Sequence, residues 1–212
     1  MKKILIILTL AVASLSADEF ERAAADYRKG NFIKAFNAFF VLAKEGDPKA
    51  QYNVGLIYAN GKGVKADISQ AMKWYEKSAL QGNVSAQYNL AQLYHERTKK
   101  DPHAHEKARY WYEKAAEGGC KEAFNNLASF YLQGNGVQKD SQKALELLEK
   151  GANMNDANAQ INLAVMYAWG EGIVHNKMKA YENLKKALGS GKSEASEYLD
   201  RLCKESAWVC EN

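Results

Sequence analysis

Three histidines stand close together in this chain, His95, His103 and His105, and three imidazoles are enough to hold a zinc ion. Their spacing argues against that use. His103 and His105 are two residues apart at the expected start of a helix, where side chains at i and i+2 diverge. Neither a cysteine nor a carboxylate at a fixed metal-ligand spacing completes the set. The expectation is therefore no metal and no cofactor, with Arg97-Thr98-Lys99-Lys100-Asp101-Pro102 forming a solvated basic loop and a candidate recognition element. Nucleophilic chemistry fares no better. There is no Gly-x-Ser-x-Gly elbow and no paired His-Glu zinc motif. Ser141-Gln-Lys143 and Ser190-Gly-Lys192 both miss the Ser-x-x-Lys spacing of penicillin-recognising serines. No catalytic residue is expected.

The cysteines are Cys120, Cys203 and Cys210. Seven residues on a straight helix rise by roughly 10.5 Å, too far for a disulfide. A Cys203–Cys210 bridge therefore needs the chain to turn near Ser206, and that bridge is expected to close the C-terminal end. Cys120 is then the odd thiol, either partly buried and free or paired with another molecule.

The elements that carry these residues come from a repeat. Ala-x-x-Asn-φ-[Gly/Ala]-x-x-Tyr, with φ hydrophobic, starts at Ala50, Ala86, Ala123 and Ala159, and a degenerate copy starts at Ala195; the steps are 36, 37, 36 and 36 residues. Such a period marks an array of one supersecondary unit. Each unit reads as two helices. The first runs through the motif and ends at a glycine loop such as Gly61-Lys62-Gly63-Val64, Gly134-Asn135-Gly136 or Gly170-Glu171-Gly172. The second opens at Asp67 or Asp140, well placed as N-caps, and Gln70 offers Asp67 a capping-box-like partner. Ala71, Trp74, Tyr75 and Ala79 then form an i, i+3, i+4, i+8 stripe that must be buried. Ala108, Trp111, Tyr112 and Ala116 repeat it, and Ala144, Leu147, Leu148 and Ala152 soften it. Neither helix can bury its stripe alone, so stacking supplies stability.

This run of motifs, with Trp-Tyr-Glu-Lys in the second helix, resembles the Sel1-like repeat over about Asp18 to Lys204. The resemblance implies an all-α fold, a right-handed α/α superhelix of tetratricopeptide-like helix pairs. The units are about 18–47, 48–83, 84–120, 121–156 and 157–192, with a C-terminal cap over 193–212. It also brings in the secreted helicobacter cysteine-rich proteins, described as penicillin-binding, some as β-lactamases. A weak penicillin-binding or β-lactamase activity is thus the alternative function, by resemblance only. The cysteine pairs of that subgroup fall at places held here by Ala79 and Gln87, Ala116 and Phe124, and Ala152 and Gln160.

By analogy with tetratricopeptide geometry, the first helix of each unit lines a groove. Its inward positions include Tyr52, Leu56 and Asn60, then Tyr88, Gln92 and His95, then Asn125 and Ser129, then Ile161 and Trp169. These are the candidate partner-binding residues, with Tyr52, Tyr88 and Trp169 as amphipathic anchors. The amide series Asn53, Asn89, Asn126 and Asn162 either grips an extended peptide or bonds to neighbouring helices.

Residues 1–17 read as a secretory signal peptide: Lys2 and Lys3, an apolar run from Ile4 to Ala13, then small residues up to Ala17. The expectation is an exported chain, periplasmic or secreted, with no stable membrane insertion after cleavage. Lys2 and Lys3 account for two of the 29 basic residues, leaving 27 against 25 acidic ones, which is no footprint for nucleic acid. The expected partner is a protein or peptide, and the residues do not specify an oligomeric state.

Overall fold

The computed structural model describes residues 17–97, 103–170 and 172–211. Residues 1–16 of the expected signal segment, Thr98 to Pro102 of the expected basic loop, and Glu171 lie outside the described residues. All described secondary structure is helical. Residues 17–28 form α1. Then come α2 (Phe32–Lys44), α3 (Pro48–Asn60), α4 (Ile68–Leu80), α5 (Val84–Arg97), α6 (Ala104–Glu117) and α7 (Lys121–Gln133). They are followed by α8 (Ser141–Asn153), α9 (Ala157–Trp169), α10 (Lys177–Gly189), α11 (Ala195–Glu205) and a single 3-10 turn, Ala207–Val209.

Short polar side chains start most of these helices. Asp47, Asn83 and Asp156 accept the backbone N–H of Ala50, Ala86 and Ala159 at 2.7, 3.0 and 2.6 Å, opening α3, α5 and α9. Asp67, Asp140 and Asn176 do the same for α4, α8 and α10. Each satisfies a donor that the first helical turn leaves without an internal partner. The expected reciprocal bond from Gln70 is not used. The Asp67 N–H donates instead to Tyr58 O at 2.9 Å, and Asp140 and Asn176 repeat this with Tyr131 O and Tyr167 O. The motif tyrosine thus closes the loop through its backbone. Gly61 ends α3 at φ +67°, a left-handed conformation that suits glycine. Gly170 departs from this pattern and leaves α9 extended, at φ −71° and ψ 144°. Its glycine is explained by space, since a Cβ there would lie 2.5 Å from Met166 O.

Packing follows the stripes with one shift. Ala71, Trp74, Tyr75 and Ala79 are all buried, as are Ala144, Leu147, Leu148 and Ala152. In α6 the buried small residue is Ala115 rather than the expected Ala116. Ser78, Gly151 and Ala187 share the place of Ala115, and all four are buried. Helices meet so closely there that a Cβ on Gly151 would come within 2.9 Å of Ala159 Cβ. Ser78 fits because its Oγ donates to Pro48 O at 2.6 Å. Buried glutamines tie three of the first helices, α3, α5 and α9, to the second helix before each: Gln51, Gln87 and Gln160 donate to Ala43 O, Ala79 O and Ala152 O at 3.1, 3.1 and 3.4 Å.

The chain divides into two compact units, one ending at Leu93 and the other beginning at Tyr94, with the division inside α5. In the first, α2 packs on α3 and α3 on α4. Its core is Phe39, Leu42, Val54, Ile57 and Trp74, with Phe20, Tyr27, Phe36, Phe40 and Tyr58 packed around it. In the second, consecutive helices from α6 to α11 pack in series, and α9 also meets α7 and α11. Phe130, Leu148, Leu184 and Leu202 are among its fully buried side chains. The second unit ends with a disulfide between Cys203 and Cys210, whose Cα atoms are 5.7 Å apart. The helix stops at Glu205 and the chain turns at Ser206, which brings the two cysteines together.

Candidate functional site

In the first unit, Tyr52 on α3 is half-buried, with its ring 5.7 Å from that of Tyr75. Asn89 of α5 reaches toward both, its Nδ2 lying 3.5 Å from Tyr52 Oη and 3.4 Å from Tyr75 Oη. Burial pushes the Tyr75 phenol up to about 12, so it acts as a neutral hydrogen-bonding group. Leu56 is half-buried and Asn60 exposed at the end of α3. On α5, Gln92 Nε2 donates to Tyr88 Oη at 3.3 Å. The motif amides do different jobs: Asn53 donates to Lys49 O of its own helix at 2.9 Å, whereas Asn89 addresses tyrosines of two other helices.

The second unit gathers a defined cleft of 360 Å³, lined by Asn125 of α7, Asn158, Ile161 and Asn162 of α9, and Glu194, Glu197 and Tyr198 at α11. Asn162 Nδ2 donates to Asn125 Oδ1 at 2.7 Å, a bond between amides on neighbouring helices. Ile161, expected at an inward groove position, is 6% exposed and lines the cleft. Ser129 Oγ donates to Asn126 O in its own helix at 2.7 Å. Trp169 is engaged by α11: its Nε1 donates to Glu205 at 2.6 Å, and the Arg201 guanidinium lies 4.5 Å from its ring centroid. The indole N–H, and then Arg201, hold the Glu205 carboxyl below its ordinary value.

His95 stands apart from the cleft. Its ring packs 5.3 Å from that of Phe130 and 6.4 Å from that of Tyr112. Burial, and secondarily the charge of His105, lower its pKa below the usual imidazole value. A neutral ring against aromatics suits a core place better than a partner contact. Cys120 opens α7 without capping it, and its Sγ lies 3.4 Å from Glu122 Oε2. Burial pushes its thiol up to about 11, which leaves it protonated and a poor nucleophile. Among the described residues, no three His, Cys, Asp or Glu side chains are placed to hold a metal ion. No described helix is long and apolar enough to cross a membrane.

Counting inward positions only through intact motifs misses Asn158, Glu194, Glu197, Tyr198, Arg201 and Glu205. One signal was within reach. Tyr198 occupies the motif-Asn place of the degenerate copy, and the same register puts Glu197 one before it.

Four stretches of the chain, residues 48–83, 84–120, 122–156 and 157–191, match the Sel1 repeat. The chain belongs to the Sel1-repeat family. A Sel1 repeat protein from Oxalobacter formigenes is 33% identical and superposes with a TM-score of 0.80 over 92% of this chain and 81% of that one. The cysteine rich protein B of Helicobacter pylori is 24% identical, with a TM-score of 0.51 over 64% of this chain and 97% of that one, a likeness of fold alone. It brings no penicillin-binding activity to this Sel1-repeat chain. A segment of 46 residues, 22% of the chain, is 44% identical to the chitin synthase regulator SKT5 of Saccharomyces cerevisiae and spans 7% of that protein. The fold is an all-α solenoid of Sel1 helix pairs. Proteins of this family are generally non-enzymatic protein-interaction scaffolds.

Proposed function

We propose that this Sel1-repeat chain is an exported scaffold that binds a peptide or protein partner and carries out no chemistry of its own. The observation that carries the reading is the cleft in the second unit, where three amides, two carboxylates and a tyrosine face one 360 Å³ concavity. Asparagine side chains offer both donors and acceptors to an extended backbone, and Tyr198 adds an aromatic contact of the kind enriched in binding hot spots. Tyr52, Tyr88 and Gln92 extend the same class of amphipathic contact to the first unit. Export rests on the basic-then-apolar sequence of residues 2–17, and the Cys203–Cys210 disulfide suits an oxidising compartment.

A photo-crosslinking amino acid placed at 158 or 198 in the native cell is expected to trap one and the same protein, with none trapped from exposed Lys150 on α8. Adducts no more frequent from 158 and 198 than from 150 would remove the cleft as an interface. Fractionation and intact mass test export separately: the processed chain is expected to begin at Asp18 outside the cytoplasm, and an unprocessed cytoplasmic chain would overturn it.

A further inference from the structure

The first unit holds a concavity of another kind, 670 Å³ in volume and walled by three aromatic rings: Phe40 from α2, Tyr58 from the end of α3 and Trp74 from α4. Phe40 and Trp74 meet edge to face with centroids 5.6 Å apart. The loop that closes one side is pinned at both ends. Asp67 N–H donates to Tyr58 O at 2.9 Å, and a Cβ on Gly63 would come within 2.8 Å of Phe32, so the loop lies directly on α2. The walls are therefore held in place by the fold, which lowers the ordering cost of binding.

The charge around these walls is mainly positive. Lys65 lines the mouth. The Lys44 ammonium lies 4.6 Å from the Phe40 centroid and that of Lys77 4.3 Å from the Trp74 centroid. All three lysines are exposed, and none forms an ion pair among the described residues. The one carboxylate in the lining, Asp67, already accepts the Gln70 N–H at the start of α4. Three aromatic walls with lysines around them accept an aromatic side chain and favour carboxylates beside it. A basic segment would bring like charge against ammonium groups that already cover two of the rings.

We infer that this pocket docks an aromatic side chain carried on an acidic segment of a partner protein. The site is separate from the amide-lined cleft and does not depend on it.

The test uses the full chain and two fluorescein-labelled peptides, Glu-Asp-Glu-Trp-Glu-Asp-Glu and Lys-Arg-Lys-Trp-Lys-Arg-Lys, read by fluorescence anisotropy. The acidic peptide is expected to bind at least tenfold more tightly than the basic one. Its affinity should fall at least tenfold when its Trp is replaced by Ala, and at least tenfold in the Lys65→Glu/Lys77→Glu variant. Both changes lie on exposed side chains, and a helical spectrum and melting temperature equal to the parent's confirm that the variant is folded. Lys150→Glu, on an exposed face of α8 in the other unit, should leave the affinity unchanged. The proposal is overturned if the acidic peptide binds no more tightly than the basic one or does not bind at millimolar concentration. It is equally overturned if the peptide lacking Trp binds as well, or if the double variant binds as well as the parent.

Discussion

Cys120 illustrates how a residue's place can say more than its chemistry. As a thiol it looks available for pairing, yet burial pushes it up to about 11 and the Glu122 carboxylate beside it works in the same direction. Its place in the repeat is that of Asn83 and Asp156, both of which cap a helix through their side chains, while Cys120 makes no such bond. Cys120→Asn is therefore expected to stabilise the fold by about 1 kcal/mol, the usual worth of an N-cap side chain. Asparagine is a better choice than aspartate because a second carboxylate would face Glu122. Thermal unfolding followed by circular dichroism checks it, with a melting temperature higher by about 2–4 °C expected for a chain of this size. The equivalence of Cys120 to Asn83 and Asp156 was legible in the sequence. What was not legible was that the place belongs to a cap, because only the bonds to Ala86 N and Ala159 N reveal that role.

At the scale of the element, the helix pair was almost fully readable, because burial periodicity and glycine stops act locally along the chain. Ala71, Trp74, Tyr75 and Ala79 are buried on the expected face. The exceptions arise where one helix meets another. Ala115 replaces Ala116 at a contact whose tightness depends on the partner helix. Asp67 finds its amide acceptor at Tyr58 O rather than at Gln70 because loop closure, not helix chemistry, decides it. The buried glutamines make the same point. Gln87 Nε2 reaches Ala79 O at 3.1 Å, joining α5 to α4. The Ala79→Cys/Gln87→Cys double variant is expected to form a disulfide on air oxidation, seen as a loss of two titratable thiols. Reduction should lower its unfolding temperature by more than it lowers the parent's, the excess being equivalent to about 2 kcal/mol for so short a loop. Three free thiols after oxidation, the two introduced ones together with Cys120, would show that the helices stand too far apart there for the bridge.

For the molecule as a whole, regularity and function pull apart. The repeated Ala, Asn and Tyr are legible because every copy needs the same stacking contacts, and the family match over residues 48–191 rests on them. The cleft in the second unit sets the motif Asn162 beside the degenerate copy, whose Glu194, Glu197 and Tyr198 depart from the consensus. In that copy, Arg201 and Glu205 engage Trp169, a pairing set by where α11 lies against α9 and by no local spacing. In an array of helix pairs each repeat is stabilised mainly by its neighbours, so a weak end frays without unfolding the rest. The last helix is held by packing against α10 and α9, by the Lys177–Ser206 hydrogen bond, and by the Cys203–Cys210 disulfide. Reducing that disulfide relaxes the turn that buries Val209 and fixes Ser206, while leaving the helices of the first unit with all their own contacts. Hydrogen exchange of the native chain, with and without dithiothreitol, is expected to show faster exchange confined to α10, α11 and residues 206–211. Protection in α2 to α4 should be unchanged. Exchange that rises equally in α2 to α4 would mean that the chain unfolds as one cooperative body, and that stability here is not the sum of neighbouring repeat contacts.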